Sequence, residues 1–430
     1  MKENVRDLLG FIHRSPSPYH VVRNLEEMLA KAGFTKLSEG KDYRLEKGGS
    51  YYVSRNGSAL IAFRIPGSIE GFSIVSAHTD SPSFRVKDNP EIRKDGYITL
   101  NVEGYGGMLL APWFDRPLSL AGRVCIEENG KVACRLVNLD RDLVMIPSLA
   151  IHMNRNANHG IDYNVQKELM PLIGQDDDSF SLRKLVAKEI GVDENDLLES
   201  DLFLYNREEG KVWGLEDAYF SSPKIDDLEC AYSAVTSLIA SKPEKTIAVC
   251  ALFDNEEVGS GTKQGALSDF LSETLERISL SLGWSREESL EMQSRSFMLS
   301  ADNGHAVHPN YPEACDPTNR PKMGGGVLVK FAANQKYTSD AHSASCLEHL
   351  LRKQGIPYQV FFNNSNIPGG STLGNLSTRH YSLPTVDIGV AQLAMHSPYE
   401  TASCADLYFL AQAMHSFYER DPWLVVDSLE

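Results

Sequence analysis

Two histidines and several carboxylates stand at the ends of short apolar runs spread over most of the chain. His78-Thr79-Asp80 follows the run from Phe72 to Ser76, Glu256-Glu257 follows Ile247 to Phe253, Asp302 follows Phe297 to Ser300, and His396 follows Val386 to Val390. Asp226 falls in the first turn of a helix expected after Pro223. Imidazole nitrogens mixed with carboxylate oxygens are a donor set for zinc. Five such side chains sharing one carboxylate would suit two ions about 3.5 to 4 Å apart, the arrangement of two-metal hydrolases. The doublet Glu256-Glu257 suits a division of labour, in which one carboxylate binds metal while its neighbour takes a proton from water. Asp80, two residues beyond His78, can accept the other ring N–H and so choose the tautomer. Taken singly, these patterns are ordinary: His-x-Asp and Glu-Glu occur in capped loops, and Asp226-Asp227 is a helix start favoured by the helix dipole. Their shared position after strand-like runs is what points to one site.

The runs are nearly continuous and apolar, the pattern of strands buried on both faces. Amphipathic or Ala/Leu-rich segments at 224–240, 263–283, 339–354 and 401–419 read as helices between them. This alternation predicts an α/β fold, a sandwich with helices on both sides of a mainly parallel sheet, with ligands at the carboxyl ends of the strands. Nearer the N-terminus, MKENVRDLLGFIHRS reads as an amphipathic helix, and Ser17-Pro18 opens another that carries Val22, Leu25 and Leu29 on one face and stops at Gly33. Asn56-Gly57 marks a hairpin. Residues 91–220 break the rhythm with short β-rich runs, Asn-Gly turns and the solvated QDDDS cluster. They read as a second, β-rich domain inserted into a catalytic α/β domain made of residues 1–90 and 221–430. Gly104 to Gly107 and Gly324-Gly325-Gly326 read as turns, since neither continues into a P-loop or a dinucleotide fingerprint.

Composition narrows the classes. The 430 residues, 42% hydrophobic and 23% charged, are ample for a large core without disulfide or metal staples. With 58 acidic and 42 basic side chains the net charge is −16, which repels a phosphate backbone, and no Lys/Arg stripe offsets it, so nucleic acid is not expected as a partner. No apolar run approaches the length that spans a bilayer, and no membrane association is expected. Seven cysteines without a C-x-x-C pair argue against a disulfide framework and for a cytoplasmic address.

The segments AHTDSPSFRVK, YGGMLLAPWFDRPLSLAGRV, IPSLAIHMNR, KIDDLEC, DNEEVGS, SADNGHAVHPNY, ANQKY, GGSTLGN and VDIGVAQLAMHS, in this order, resemble those of the aspartyl aminopeptidases, a family of co-catalytic dinuclear zinc peptidases, in a bacterial-type form. The resemblance implies a zinc-peptidase-like α/β/α sandwich whose β-rich insert serves oligomerisation. It implies two Zn2+ per subunit, replaceable by Co2+ or Mn2+: His78 and Asp302 on one ion, Glu257 and His396 on the other, Asp226 bridging, Glu256 as general base, and Asp80 supporting His78. The Asp226–Asp227 bond would be cis. Substrate contacts would come from His305, Lys330 and Tyr337, with His152 reaching the site of a neighbouring subunit in a tetrahedral homo-dodecamer. Read alone, Lys330 after an apolar run is a snorkelling surface lysine, His152 an interface or core histidine, and His305 and His308 structural histidines.

The implied activity is release of the first residue from peptides with a free N-terminus, with Lys330 as the cation for a preferred Asp or Glu. Two departures bear on that preference. His396-Ser397-Pro398-Tyr399-Glu400 lacks the Arg common in similar enzymes, and Gly369-Gly370-Ser371-Thr372 replaces their C-G-[ST]-T. The alternatives are a related dinuclear-zinc amidohydrolase or deacylase acting on small acylated amines, and a catalytically silent, metal-stabilised assembly protein.

Overall fold

A computed structural model describes residues 2–367, 369–370 and 372–420, so Ser371 of the Gly369-Gly370-Ser371-Thr372 segment lies outside the described residues. The chain opens with α1 (Lys2–His13) and α2 (Pro18–Lys31), with Pro18 in the first turn, where its missing N–H leaves no bond unmade. After β1 (Thr35–Lys36), the strands β2 (Ser50–Arg55) and β3 (Ala59–Arg64) form the expected hairpin. Asn56 and Gly57 both take positive φ, 58° and 69°, which is why this dipeptide serves there.

From β4 (Phe72–His78) the chain leaves for a separate antiparallel sheet. Its strands are β5 (Ser83–Lys94), β6 (Tyr97–Tyr105), β7 (Leu118–Glu128), β8 (Lys131–Asn138), β9 (Leu172–Gln175) and β10 (Leu197–Asn206), in the order β8-β7-β10-β5-β6-β9. With α3 (Val165–Glu168) and α4 (Leu182–Ile190) they enclose their own core, including Phe84, Trp113, Leu120, Val186 and Leu204. This sheet thus begins at Ser83 and ends at Asn206.

The chain returns through β11 (Lys211–Trp213) and β12 (Tyr219–Ser222) to α5 (Ile225–Ala240), β13 (Ile247–Phe253), α6 (Phe270–Ser281), α7 (Arg286–Ser294), β14 (Phe297–Ala301) and β15 (Gly304–His305). Then come β16 (Val327–Lys330), α8 (Ala341–Gln354), β17 (Tyr358–Phe361), α9 (Gly374–Ser377), β18 (Thr385–Gly389), β19 (Ala391–Gln392), β20 (Glu400–Ser403) and α10 (Cys404–Tyr418). The main sheet runs β1-β2-β3-β13-β4-β14-β18-β16-β17, and its centre, β13-β4-β14-β18, is parallel. Both faces are covered. On β13, Ala248, Cys250 and Leu252 join a core with α1, α2, α5, α8 and α10, while Ile247, Val249, Ala251 and Phe253 join a second core with α6. This is an α/β/α sandwich, and its apolar strands are continuous because both faces meet helices.

Two expectations change. The helix expected over 263–283 starts only at Phe270, because residues 260–268 form turns closed by Gly265 N–H to the Thr262 carbonyl and Ser268 N–H to the Gly265 carbonyl. The case against disulfides also gives way at one pair: Cys125 on β7 is bonded to Cys134 on β8. Antiparallel register places these two opposite each other, so strand pairing rather than a C-x-x-C spacing decides the contact. Among the described residues no helix is long and apolar enough to cross a membrane.

Candidate active site

The four parallel central strands end on one edge of the sheet, and the chemistry-bearing residues gather there. His78 closes β4 in register with Phe253, the last residue of β13, so the Glu256-Glu257 turn begins beside it. Asp302 follows β14, and His396 lies in the loop after β19. Gly389, at the end of β18, is required by the close approach of the Asp302 loop, since a Cβ there would lie 2.0 Å from the Asp302 carbonyl oxygen. Asp226 and Asp227 sit at the start of α5 in non-helical conformations, and the bond between them is cis.

Asp226 is the centre of the arrangement. Its Oδ1 lies 3.4 Å from His78 Nε2 and its Oδ2 lies 3.4 Å from His396 Nε2. Asp302 Oδ1 is 4.0 Å from His78 Nε2, and Glu257 Oε1 is 3.5 Å from His396 Nε2. Two tetrahedral ligands at zinc bond lengths of 2.0 to 2.1 Å are separated by about 3.3 to 3.4 Å, so the closest donor pairs stand at coordination spacing. His78, Asp226, Asp227 and Asp302 form one set of converging donors, Asp226, Glu257 and His396 another, and His78, Glu256 and Glu257 a third.

The tautomers are also set. His78 Nδ1 meets the Asp80 carbonyl oxygen at 3.1 Å and Asp80 Oδ1 at 3.4 Å, and His396 Nδ1 meets the Gly107 carbonyl oxygen. These partners only accept, so each Nδ1 carries a proton and each Nε2 is the nitrogen that faces Asp226 and would bind a metal once deprotonated.

The electrostatics call for cations. Burial among like charges pushes the Glu256 carboxyl up to about 8 and holds Glu257 and Asp227 well above the usual carboxylate range. Asp226 goes the other way: burial would raise it, but contacts with His396 and His78 hold it below its ordinary value. Burial would lower His396, yet its bond to Asp226 and the charge of Glu257 raise it to about 10. Asp226 Oδ1 and Glu257 Oε1 are buried with no hydrogen-bond donor among the described residues. Buried acceptors of this kind, gathered around two imidazole nitrogens, fit a metal that would replace the protons the cluster otherwise takes up.

A family model described as the aminopeptidase I zinc metalloprotease (M18) matches residues 11–418. The chain belongs to the M18 family. It is 44% identical over 431 residues to the probable M18 family aminopeptidase 2 of Clostridium novyi, covering 97% of this chain and 100% of that one. It superposes on a chain of the cryo-EM structure of the Ape4 and Nbr1 complex with a TM-score of 0.92, at 36% identity over 96% of this chain and 84% of that one. A chain of the S. cerevisiae mApe1 dodecamer matches with a TM-score of 0.83, at 26% identity over 96% and 95% of the two chains. The protein is a zinc metallo-aminopeptidase of this family.

The remaining candidates fall on different parts of the M18 chain. Lys330 is buried at 1% exposure and does not snorkel. Its Nζ donates to the carbonyl oxygens of Asp302 at 2.8 Å and Asn303 at 3.2 Å and lies 3.7 Å from Asp302 Oδ2. Burial opposes its charge, but Asp302 holds its pKa above the usual lysine value. The Tyr337 ring lies 4.9 Å from that ammonium. His305 is exposed on β15 and lines a recess with His308, Phe361, Asn363 and Met395. His152 is exposed within the turn-rich part of the insert and belongs to none of the converging donor sets among the described residues.

Four supporting residues, Tyr105, Gly106, Gly107 and Glu400, are not marked as such by any pattern in the sequence. Tyr105, at the end of β6, donates its hydroxyl to Asp80 Oδ2 at 2.7 Å and receives Asn255 Nδ2 at 2.8 Å. Asp80 in turn accepts the backbone N–H groups of Glu256 and Glu257, both at 3.2 Å, so one carboxylate serves His78 and the Glu256-Glu257 turn together. Gly107 fixes His396 as described, and Gly106, at φ 79°, passes so close that a Cβ would stand 3.1 Å from Glu257 Cβ. Glu400 accepts backbone N–H groups from Asp226 and His396. The only available signals were the Tyr-Gly-Gly run and the spacing of Glu400 after His396, and neither carries a recognisable donor pattern.

Tyr105→Phe removes one hydroxyl from beneath Asp80. Loss of such an outer contact typically weakens a metal site 10- to 100-fold, so zinc affinity measured by chelator competition should fall by about that factor with the far-UV spectrum unchanged. Wild-type affinity would remove Tyr105 from the site's support.

Proposed function

We propose that the protein releases the N-terminal residue of peptides with a free α-amine, using two zinc ions. His78 and Asp302 hold one ion, Glu257 and His396 the other, and Asp226 bridges them. The observation that carries this reading is the pair of equal 3.4 Å approaches by which the two oxygens of Asp226 face two different imidazoles. When bound, the ions supply Lewis acidity, polarising the scissile carbonyl and lowering the pKa of a water to about 7. Co2+ or Mn2+ can take their place with the same nitrogen and oxygen donors.

Glu256 performs the proton transfer. Its backbone N–H is pinned by Asp80, its side chain faces the donor cluster beside His78 and Glu257, and burial gives it a raised affinity for a proton. It accepts the proton of the attacking water and delivers it to the amine that leaves. Asp80 keeps His78 in the right tautomer and the Glu256-Glu257 turn in place.

Lys330 is the cation that favours Asp or Glu as the first residue, with Tyr337 against its ammonium and His305 on the rim of the neighbouring recess. His152, exposed in the insert beside Leu149, Ile151 and Met153 at 57%, 42% and 76% exposure, reaches into a neighbouring subunit's site. The β-rich insert, whose sheet runs from Ser83 to Asn206, is the oligomerisation domain. The matching fold of a chain from a dodecamer supports a homo-dodecamer of tetrahedral form, and the assembly works in the cytoplasm.

A panel of Asp, Glu, Leu, Lys and Ala anilides tests the reaction. Release should stop with a chelator, return with zinc, and be fastest for Asp and Glu; equal rates on N-acetylated substrates would instead mean a deacylase. Glu256→Gln should keep its zinc and fold yet lower kcat at least a hundredfold, since it removes the proton acceptor alone. Turnover within a few-fold of wild type would dismiss that role. For His152→Ala the expected result is a large loss of kcat with metal content retained, and an unchanged rate would show that each subunit completes its own site.

A further inference from the structure

Glu400 lies outside the donor cluster but grips its backbone in two places. It opens β20, which pairs antiparallel with β12 so that Ser222 faces Glu400. That register puts its side chain beside the turn from β12 into α5, where Asp226 sits. A bridge between Leu393 and Thr401 closes the loop that carries His396 back onto the same point. Glu400 Oε2 accepts the Asp226 N–H at 3.0 Å, and Oε1 accepts the His396 N–H at 2.8 Å, with Gln392 Nε2 at 3.4 Å from the same oxygen. The residue is 1% exposed. We propose that Glu400 is a positioning residue, one carboxylate that sets the spacing of Asp226 and His396 by holding both of their backbones.

The strand needs none of this. β20 pairs through its main chain, and the Glu400 side chain reaches the start of α5, the His396 loop and Gln392 on β19. His396 takes a positive φ of 64°, uncommon for a side-chain-bearing residue, and its N–H is directed at Glu400. Because Asp226 and His396 come from segments far apart in the chain, the 3.4 Å gap between their donor atoms is set through the groups that tie the segments together. A carboxylate can accept at both ends, whereas an amide accepts at only one and turns donors toward the other N–H. Glutamate is therefore required where glutamine has the same shape. This inference rests on Asp226 and His396 being metal ligands, as proposed above.

The test compares full-length wild type with Glu400→Gln, using zinc affinity by chelator competition and the visible absorption of the cobalt-loaded proteins. With an unchanged far-UV spectrum, the variant should bind zinc about 10- to 100-fold more weakly, show shifted cobalt bands, and lose kcat more than it changes KM. Wild-type affinity and an identical cobalt spectrum would overturn the proposal. Should the variant not fold, hydrogen exchange in the wild type decides: the amides of Asp226 and His396 are expected to exchange slowly, and exchange at loop rates overturns it. Binding of fewer than two cobalt ions by the wild type is a different failure, visible without any variant, which removes the two-metal reading itself.

Discussion

The structure depends on a carboxylate shared between two imidazoles. Asp226 faces His78 with one oxygen and His396 with the other, while Glu256, Glu257 and Asp302 crowd around it in a buried space. Left without cations, such a group of anions would be costly to bury and would take up protons, as the raised pKa values of Glu256 and Glu257 show. A zinc family membership and a buried excess of acceptors are thus two expressions of one constraint, that negative charge at this edge of the sheet must be neutralised.

That constraint explains why the surrounding polypeptide is so closely tied. Three separate parts of the chain hold the cluster from behind: Asp80 after β4 carries His78 and the Glu256-Glu257 turn, the Tyr105–Gly107 segment from the insert supports Asp80 and His396, and Glu400 at the start of β20 holds Asp226 and His396. The insert is therefore more than an appendage, because its β6 end contributes hydrogen bonds to the donor cluster itself. Lys330 adds a buried positive charge that is bonded to the backbone of the Asp302 loop, so it steadies that loop whatever else it does for a substrate.

Much of the architecture was legible because apolar periodicity is local. Runs such as Ile247–Phe253 announce a strand buried on both faces, and Asn56-Gly57 announces its hairpin, whatever lies elsewhere in the chain. The clusters after those runs could be assigned to one edge because parallel strands share the direction of their carboxyl ends. Lys330 shows the limit: an apolar run followed by lysine suits a surface position or a buried one equally, and the difference is made by the Asp302 and Asn303 carbonyls that meet it. The Cys125–Cys134 bond is similar, being a matter of hairpin register.

Donor types, their placement after strands and the α/β class were thus carried by residue identity and spacing, since both act within a few residues. Strand order, in contrast, is a property of the whole chain. Only after β13, β4, β14 and β18 lie side by side do His78, Glu257 and Asp302 face one another, and only after β20 pairs with β12 does Glu400 meet Asp226. Hydrogen bonds between segments so far apart leave no local trace, because the entropy of joining them is overcome by the packing of the entire sheet and by no single motif.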